Sequence, residues 1–170
     1  MLKSDKVLNR FFCQVRIGGF TLIEMVVVIG IIAILALLAV PSQLNRLNQK
    51  KLAETIQLAE IFKEPIALFY QLNGKFPVNN EEAGIPEPDK ILGNYLSGLN
   101  VENGVMHLQL GNKSANLEGQ ILSIVPVFVE GSPNSPISWV CAGKRIPDGM
   151  TAAGENKTSV SNNFLPLSCR

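Results

Sequence analysis

The chain has 170 residues, 46% of them hydrophobic and 17% charged, with a formal net charge of +1 and one histidine. It holds no Ser/His/Asp or Cys/His set, no carboxylate pair in a pocket-like context and no Gly-rich phosphate loop opening a helix, which argues against an enzyme and calls for no cofactor. The near-neutral balance, with no basic stripe interleaved with aromatics, argues against a nucleic-acid-binding module.

The first segment, Met1 to Gly19, carries Lys3, Lys6, Arg10 and Arg16 against Asp5, and the positive-inside rule keeps such a segment cytoplasmic. Phe20 to Val40 follows as an apolar run, roughly 32 Å long as a helix and sufficient to cross a bilayer. A secretory signal places its small-residue cleavage site after the apolar stretch. Here the small pair, Gly18-Gly19, precedes it, so cleavage there keeps the anchor. Residues without Cβ also let the chain extend and let a protease approach the backbone closely. One acid, Glu24, interrupts the run a turn from its start. An ionised carboxylate costs roughly 2.5 to 3.5 kcal/mol at a bilayer centre and less near the interface, so Glu24 calls for a positive partner at similar depth. An uncleaved signal anchor that merely tolerates Glu24 would explain the apolar run, but not Gly-Gly, Phe and Glu together.

Gly19 followed by Phe20-Thr21-Leu22-Ile23-Glu24-Met25, with an apolar run ending at Val40-Pro41, resembles the N-terminus of the type IV prepilin family, which includes the pseudopilins of type II secretion. The resemblance implies cleavage between Gly19 and Phe20 by an inner-membrane prepilin peptidase/N-methyltransferase and methylation of the new Phe20 amine. The product would keep 151 of the 170 residues. Cleavage also creates a positive partner for Glu24, the Phe20 amine of a neighbouring copy, which would set axial register in a polymer. The implied fold class is α+β, a long N-terminal helix packed on a small antiparallel β-sheet head with a C-terminal disulfide-closed loop. In segments this gives a leader (1–19), a transmembrane and polymerisation helix (20–40), an amphipathic stem (41–73), a connecting loop (74–103), an antiparallel sheet (104–142) and a disulfide-bonded C-terminal region (143–170).

Within the stem, Leu52, Ile56, Ala59, Phe62, Ile66 and Phe69 recur with helical period. Leu58, Ile61, Leu68 and Leu72 add a second apolar row, leaving a narrow polar strip at Gln57, Glu60, Glu64 and Gln71. One head covers one row, so the other faces neighbouring copies or the rest of the fold. Pro41 and Pro65 each remove a helical N–H and strain the preceding turn by about 3 kcal/mol, which predicts kinks at both.

Asn73-Gly74 supplies a helix stop, and a turn-rich connection with Pro77, Pro86 and Pro88 runs to about Asn100. Asn73-Gly74-Lys75-Phe76-Pro77 is similar to the segment that follows the stem in type IV pilins. Three strands are predicted, Val105 to Leu110, Gln120 to Val129 and Ile137 to Ala142, as an antiparallel meander. Met106, Leu108 and Leu110 share a face that the stem covers, while His107 and Gln109 point outward. Pro126 predicts an edge or bulge in the second strand. Tyr95 and Trp139 read as packing residues and His107 as having no role.

Cys13 would depart with the leader, leaving Cys141 and Cys169 as an even pair in an oxidising compartment. Metal ligation, the alternative for that pair, lacks a nearby His or further Cys. A bridge would stabilise the head by about 3 to 4 kcal/mol in the chain-entropy model. Ile137-Ser138-Trp139-Val140-Cys141, with Phe164-Leu165-Pro166 before Cys169, resembles the C-terminal region of type IVa major pilins. The enclosed loop carries Lys144, Arg145 and Lys157 against Asp148 and Glu155, which reads as solvated charge rather than a DNA site. Losing the leader's four basic residues and one acid takes the formal charge from +1 to −2. Asn112-Lys113-Ser114 and Asn156-Lys157-Thr158 match the N-glycosylation pattern, a short pattern that arises by chance.

The resemblance thus implies a structural subunit of a type IV pilus, an inner-membrane precursor drawn by an assembly platform into a helical homopolymer on the cell surface. Such filaments serve adhesion, twitching motility or DNA uptake. The alternatives are a pseudopilin, against which the terminal disulfide speaks, and a minor pilin acting as a DNA or surface receptor.

Overall fold

The structure, a computed structural model, describes residues 19–141 and 143–170, so the expected leader with Cys13 lies outside it. The chain divides into two compact units at Ala39/Val40. Helix α1 (Leu22–Ala59) begins in the first unit, where every side chain from Gly19 to Leu37 is exposed.

The second unit holds the end of α1, helix α2 (Lys63–Asn73) and a five-stranded antiparallel sheet. Its strands are β1 (Leu96–Glu102), β2 (Val105–Leu110), β3 (Ile121–Phe128), β4 (Ser138–Cys141) and the short β5 (Thr151–Ala152). The order is β1-β2-β3-β4, with β5 pairing β3 at Val127 and Phe128. The register places Leu99 opposite Leu108 and Leu108 opposite Leu122, while Val101, Met106 and Ile124 form the next row, so these side chains share one face. Against that face the helices turn a stripe of Leu52, Ala59 and Ile66, all fully buried, with Ile56 and Phe62 half-buried beside it. This is the expected inner row of the stem. The second row behaves differently, because Ile61, Leu68 and Leu72 stay exposed. Tyr70 closes the lower end, stacking on Phe76 at 4.3 Å between ring centroids with Phe128 tilted against both.

The three expected strands are present within a residue or two of their predicted ends, but the sheet has two more. The connection from 74 to 103 is therefore shorter than expected, since its last part is β1. Two features explain the strand. Asn103 and Gly104, with φ of 50° and 83°, form the tight left-handed two-residue turn that joins β1 to β2 as a hairpin. A Cβ on Gly104 would also lie 2.5 Å from the Phe76 ring. Farther along, the buried Asn80 ties the connection to β1: its Nδ2 donates to the Pro86 and Leu99 carbonyls at 2.8 and 2.9 Å, and its Oδ1 accepts from the Val101 N–H at 2.6 Å.

Pro126 sits in the central strand rather than at an edge. It is opposite Trp139 of β4, and β2 pairs with β3 only as far as Ile124, so the missing N–H falls where no β2 partner remains. The expectation that His107 faces outward holds for its strand face, but the ring is buried, because residues 153–159 cross over that face. Ala153 N–H donates to the Pro126 carbonyl at 2.9 Å, and Ser159 N–H donates to the Ile121 carbonyl at 2.9 Å. Gly154 makes the close approach possible, since a Cβ there would meet Val105 Cγ2 at 2.7 Å.

Replacing Asn80 by Ala leaves a buried N–H and two carbonyls short of a partner. Unfolding by denaturant, followed through the single Trp139, should show a loss of about 2 to 3 kcal/mol relative to the parent chain.

Candidate assembly interface

Phe20, Leu22, Ile23 and the aliphatic residues through Leu37 present an apolar surface around a helix, each of the large side chains about half or more exposed. A contiguous apolar surface of this kind marks an interaction site. The side chains of the run are described as far as Leu37, and among the described residues no helix is long and apolar enough to cross a membrane. Glu24 lies in the first turn of α1, exposed. Thr21 Oγ1 accepts from the Glu24 N–H at 3.3 Å, so Thr21-Leu22-Ile23-Glu24 caps the helix at its N-terminus. The carboxylate there also faces the positive end of the helix dipole. Sequence reasoning missed this local role, although the Thr-x-x-Glu spacing carries the signal. The cap uses the Glu24 backbone; the Glu24 carboxylate has no hydrogen bond or ion pair among the described residues. Gly19 and Phe20 precede the helix and are exposed.

The two prolines differ in their effect. The α-helix runs across Pro41 without interruption, and the break comes at Glu60–Phe62, a single 3-10 turn between α1 and α2. Pro65 explains it. As the third residue of α2 it occupies a first-turn position whose N–H has no intrahelical partner, while its ring excludes a regular α turn on its N-terminal side.

At the other end of the chain, Cys141 of β4 is bonded to Cys169, with Cα atoms 5.1 Å apart. Both cysteines are buried in the core cluster, so the bridge pins the C-terminus against the sheet. Gln49 Nε2 on α1 donates to the Asn163 carbonyl at 3.1 Å, tying the same region to the stem. The basic residues of the enclosed loop do not form a stripe. Arg145 pairs with Asp148 at 3.3 Å, Lys144 and Arg170 donate to the Ser168 and Asn163 carbonyls, and Lys157 pairs with Glu102 on β1. The hydrogen bond from Lys157 holds the Glu102 carboxyl below its ordinary range, and the same bond raises Lys157. Tyr95 and Trp139 serve as packing surfaces, each with a lysine ammonium near its ring, Lys51 at 5.5 Å and Lys63 at 5.8 Å. Asn112, in the first glycosylation-like triplet, uses its amide to donate to the Gly93 and Leu96 carbonyls and holds a left-handed backbone.

An apolar helical surface whose side chains are exposed from Phe20 to Leu37 marks a subunit built to associate. Comparison with known proteins agrees. A family described as "Pilin (bacterial filament)" matches residues 51–170, and the prokaryotic N-terminal methylation motif matches residues 16–40. The chain belongs to the pilin family, and it is a structural subunit of a filament, not an enzyme. It is 33% identical to a fimbrial protein of Neisseria meningitidis serogroup B over 162 residues, covering 89% of this chain and 93% of that protein. It is 34% identical to the type IV major pilin protein PilE1 of Neisseria gonorrhoeae over 159 residues, 89% of this chain and 86% of that one. The fimbrial protein EcpC of Eikenella corrodens is 28% identical over 158 residues, with 89% and 90% covered.

Exchanging Cys169 for Ser should lower the stability of the oxidised chain by about 3 to 4 kcal/mol. Denaturant unfolding should show the drop in the variant and an equal one in the parent chain under a reductant, and no further drop when the variant is reduced.

Proposed function

We propose that this pilin is made as a precursor, cut between Gly19 and Phe20, methylated on the Phe20 amine, and held in the bacterial inner membrane by residues 20–40 until an assembly platform draws it into a type IV pilus as the major subunit. The observation that carries this reading is the exposed apolar surface from Phe20 to Leu37, with one carboxylate, directly after the methylation motif. Its sequence continues apolar through Val40, which completes a bilayer-spanning length. In the filament, Glu24 pairs with the Phe20 amine of a neighbouring copy, since the amine lies four residues before the carboxylate and an axial offset between copies brings the opposite charges together. Desolvation of that pair is recovered only with good geometry, which makes it a register device more than a source of affinity. The exposed Ile61, Leu68 and Leu72 row supplies a second surface for neighbours.

In this reading copies meet head to tail through the same helix, and contacts of this kind do not close but build an open helical fibre. Relatives named as major pilins, together with the disulfide-closed C-terminus, favour the fibre subunit over a secretion pseudopilin or a tip receptor. Such a fibre serves adhesion, twitching motility or DNA uptake, one or more of them.

Mass spectrometry of sheared surface fibres should return an abundant chain that starts at N-methyl-Phe20 and carries an oxidised Cys141–Cys169 pair; a chain starting at Met1, or a free Phe20 amine, would refute the processing. Two substitutions separate charge from capping at Glu24. Glu24→Gln keeps the capping geometry and loses the charge, so on the pairing reading it should be processed normally and be depleted from fibres as strongly as Glu24→Ala. Wild-type incorporation of the Gln variant would leave capping as the residue's role.

A further inference from the structure

His107 is the chain's one histidine, it is only 6% exposed, and filament assembly through the N-terminal helix gives it no task. It sits on β2 under the segment 153–159, in a cleft of about 350 Å³ shared with Asn100, Glu102, Gln109 and Lys157. That segment enters from β5 on one side of β3 and leaves at Ile121 on the other, crossing the outer sheet face diagonally. Gly154 packs on Val105, and the attachments around His107 are polar. Lys157 N–H donates to Ser123 Oγ at 2.9 Å, Ser123 N–H donates to Thr158 Oγ1 at 3.0 Å, Ile121 N–H donates to Ser159 Oγ at 2.8 Å, and the Lys157 ammonium reaches over His107 to Glu102.

His107 Nδ1 lies 2.9 Å from Ser123 Oγ, and its Nε2 lies 3.9 Å from Glu102 Oε2. A carboxylate beside Nε2 favours the proton there, so neutral His107 accepts the Ser123 hydroxyl proton at Nδ1 while the same oxygen accepts the Lys157 N–H. The fully buried Ser123 is therefore donor to the ring and acceptor from the crossing segment. A second proton on the ring reverses the first of these bonds. Nδ1 becomes a donor, the Ser123 oxygen must accept from both sides, and the hydroxyl proton is left without an acceptor in a buried place. The imidazolium also competes with the Lys157 ammonium for one carboxylate, Glu102.

We propose that residues 153–159 form an acid-released latch over the outer sheet face, held closed by neutral His107 through Ser123 and let go when the ring is protonated. Release uncovers His107 and frees the Ile121 and Ser123 amides on the β3 edge. The charged groups that bear on the ring are Glu102 from β1 and Lys157 and Glu155 from the latch. Burial, the largest influence, holds its pKa below the ordinary imidazole value near 6.5; Glu102 opposes this, Lys157 adds to it and Glu155 opposes it. With the closed-state value below the open-state one, the open form binds the proton more readily. The latch is fully closed above about pH 6.5 and loosens as the pH falls from there through the closed-state value, by up to about tenfold per pH unit.

The test uses the full-length chain in detergent micelles. Because there is one imidazole, its NMR resonance titrates without ambiguity. Amide exchange at Ile121, Ser123, Lys157 and Ser159 is followed over the same pH range, corrected for intrinsic rates and compared with the β1–β2 ladder. Protection of the four amides should fall with the imidazole titration while the ladder stays protected, and His107→Asn, which still offers Ser123 an acceptor, should make their protection independent of pH. Glu102→Gln should move both the imidazole midpoint and the loosening to lower pH together. Protection that ignores the imidazole titration, or a loosening midpoint unmoved by Glu102→Gln, would overturn the proposal even if His107→Asn does not fold. An unchanged pH dependence in a folded His107→Asn would do the same.

Discussion

The head exists because one stripe of a helix is laid on one face of a sheet. Leu52, Ala59 and Ile66 are completely buried against Leu99, Met106, Leu108 and Leu122, and the hydrophobic effect makes that contact the dominant favourable term in this unit. The stripe is narrow. With residues at spacings of three, four and seven it covers little of the helix circumference, and of the second row Leu58 packs against the core while Ile61, Leu68 and Leu72 stay exposed among the described residues. The same helix is thereby a core element on one side and an association surface on another. No second layer of helix is present among the described residues of the head, so the outer sheet face has to be closed by irregular chain.

That closure combines hydrogen bonds with a small apolar layer, Val105, Val125 and Val127 being buried on the outer face, and it explains the placement of the disulfide. From β4 the chain leaves the sheet, pairs briefly as β5, crosses the outer face and returns to Cys169 under the stem side of the fold. Irregular chain of this kind loses much conformational entropy for little buried apolar area. Fixing both ends lessens that entropy difference, because the bridge also restricts the unfolded chain. Between the ends, Val105 accommodates Gly154, Ser123 binds Lys157 and Thr158, and Glu102 takes the Lys157 ammonium. Stability in the head is therefore uneven, with the helix-sheet interface at the high end and the crossing segment at the low end.

What was legible in the sequence follows from this division. The helix-sheet interface has a period, so the buried row of the stem and the alternation of Met106, Leu108 and Leu110 could be read directly. β1 could not, because Leu96-Ser97-Gly98-Leu99-Asn100 has a glycine and two polar residues, and it is tied down by Asn80, a side chain nineteen residues before the Leu99 carbonyl it holds. Pro126 was legible as a break in pairing but not as to which side; only the end of β2 pairing at Ile124 decides that. His107 looked outward by parity and was, yet parity says nothing of a segment fifty residues later that folds over it. Of the N-terminal site, the order Gly19, Phe20, Glu24 was written in the sequence as a motif. The Thr21 cap was written there too, as Thr-x-x-Glu, and was overshadowed by the acid.

The two roles of Glu24 bear on why an acid occupies that position. Capping needs a side chain that tolerates the first turn and a free backbone N–H, which Gln supplies equally well, and the dipole interaction is worth only about 0.3 to 1 kcal/mol. Against this stands the cost of carrying a carboxylate into an apolar layer, larger by a factor of several at the bilayer centre. Local structure alone would therefore not hold a charge there. A partner of opposite sign outside the chain would, and the proposed cleavage makes one four residues away in sequence on every copy. On the proposed pairing the amine of one copy and the carboxylate of the next are desolvated together, and the geometry this demands makes register, not affinity, the quantity the pair would control.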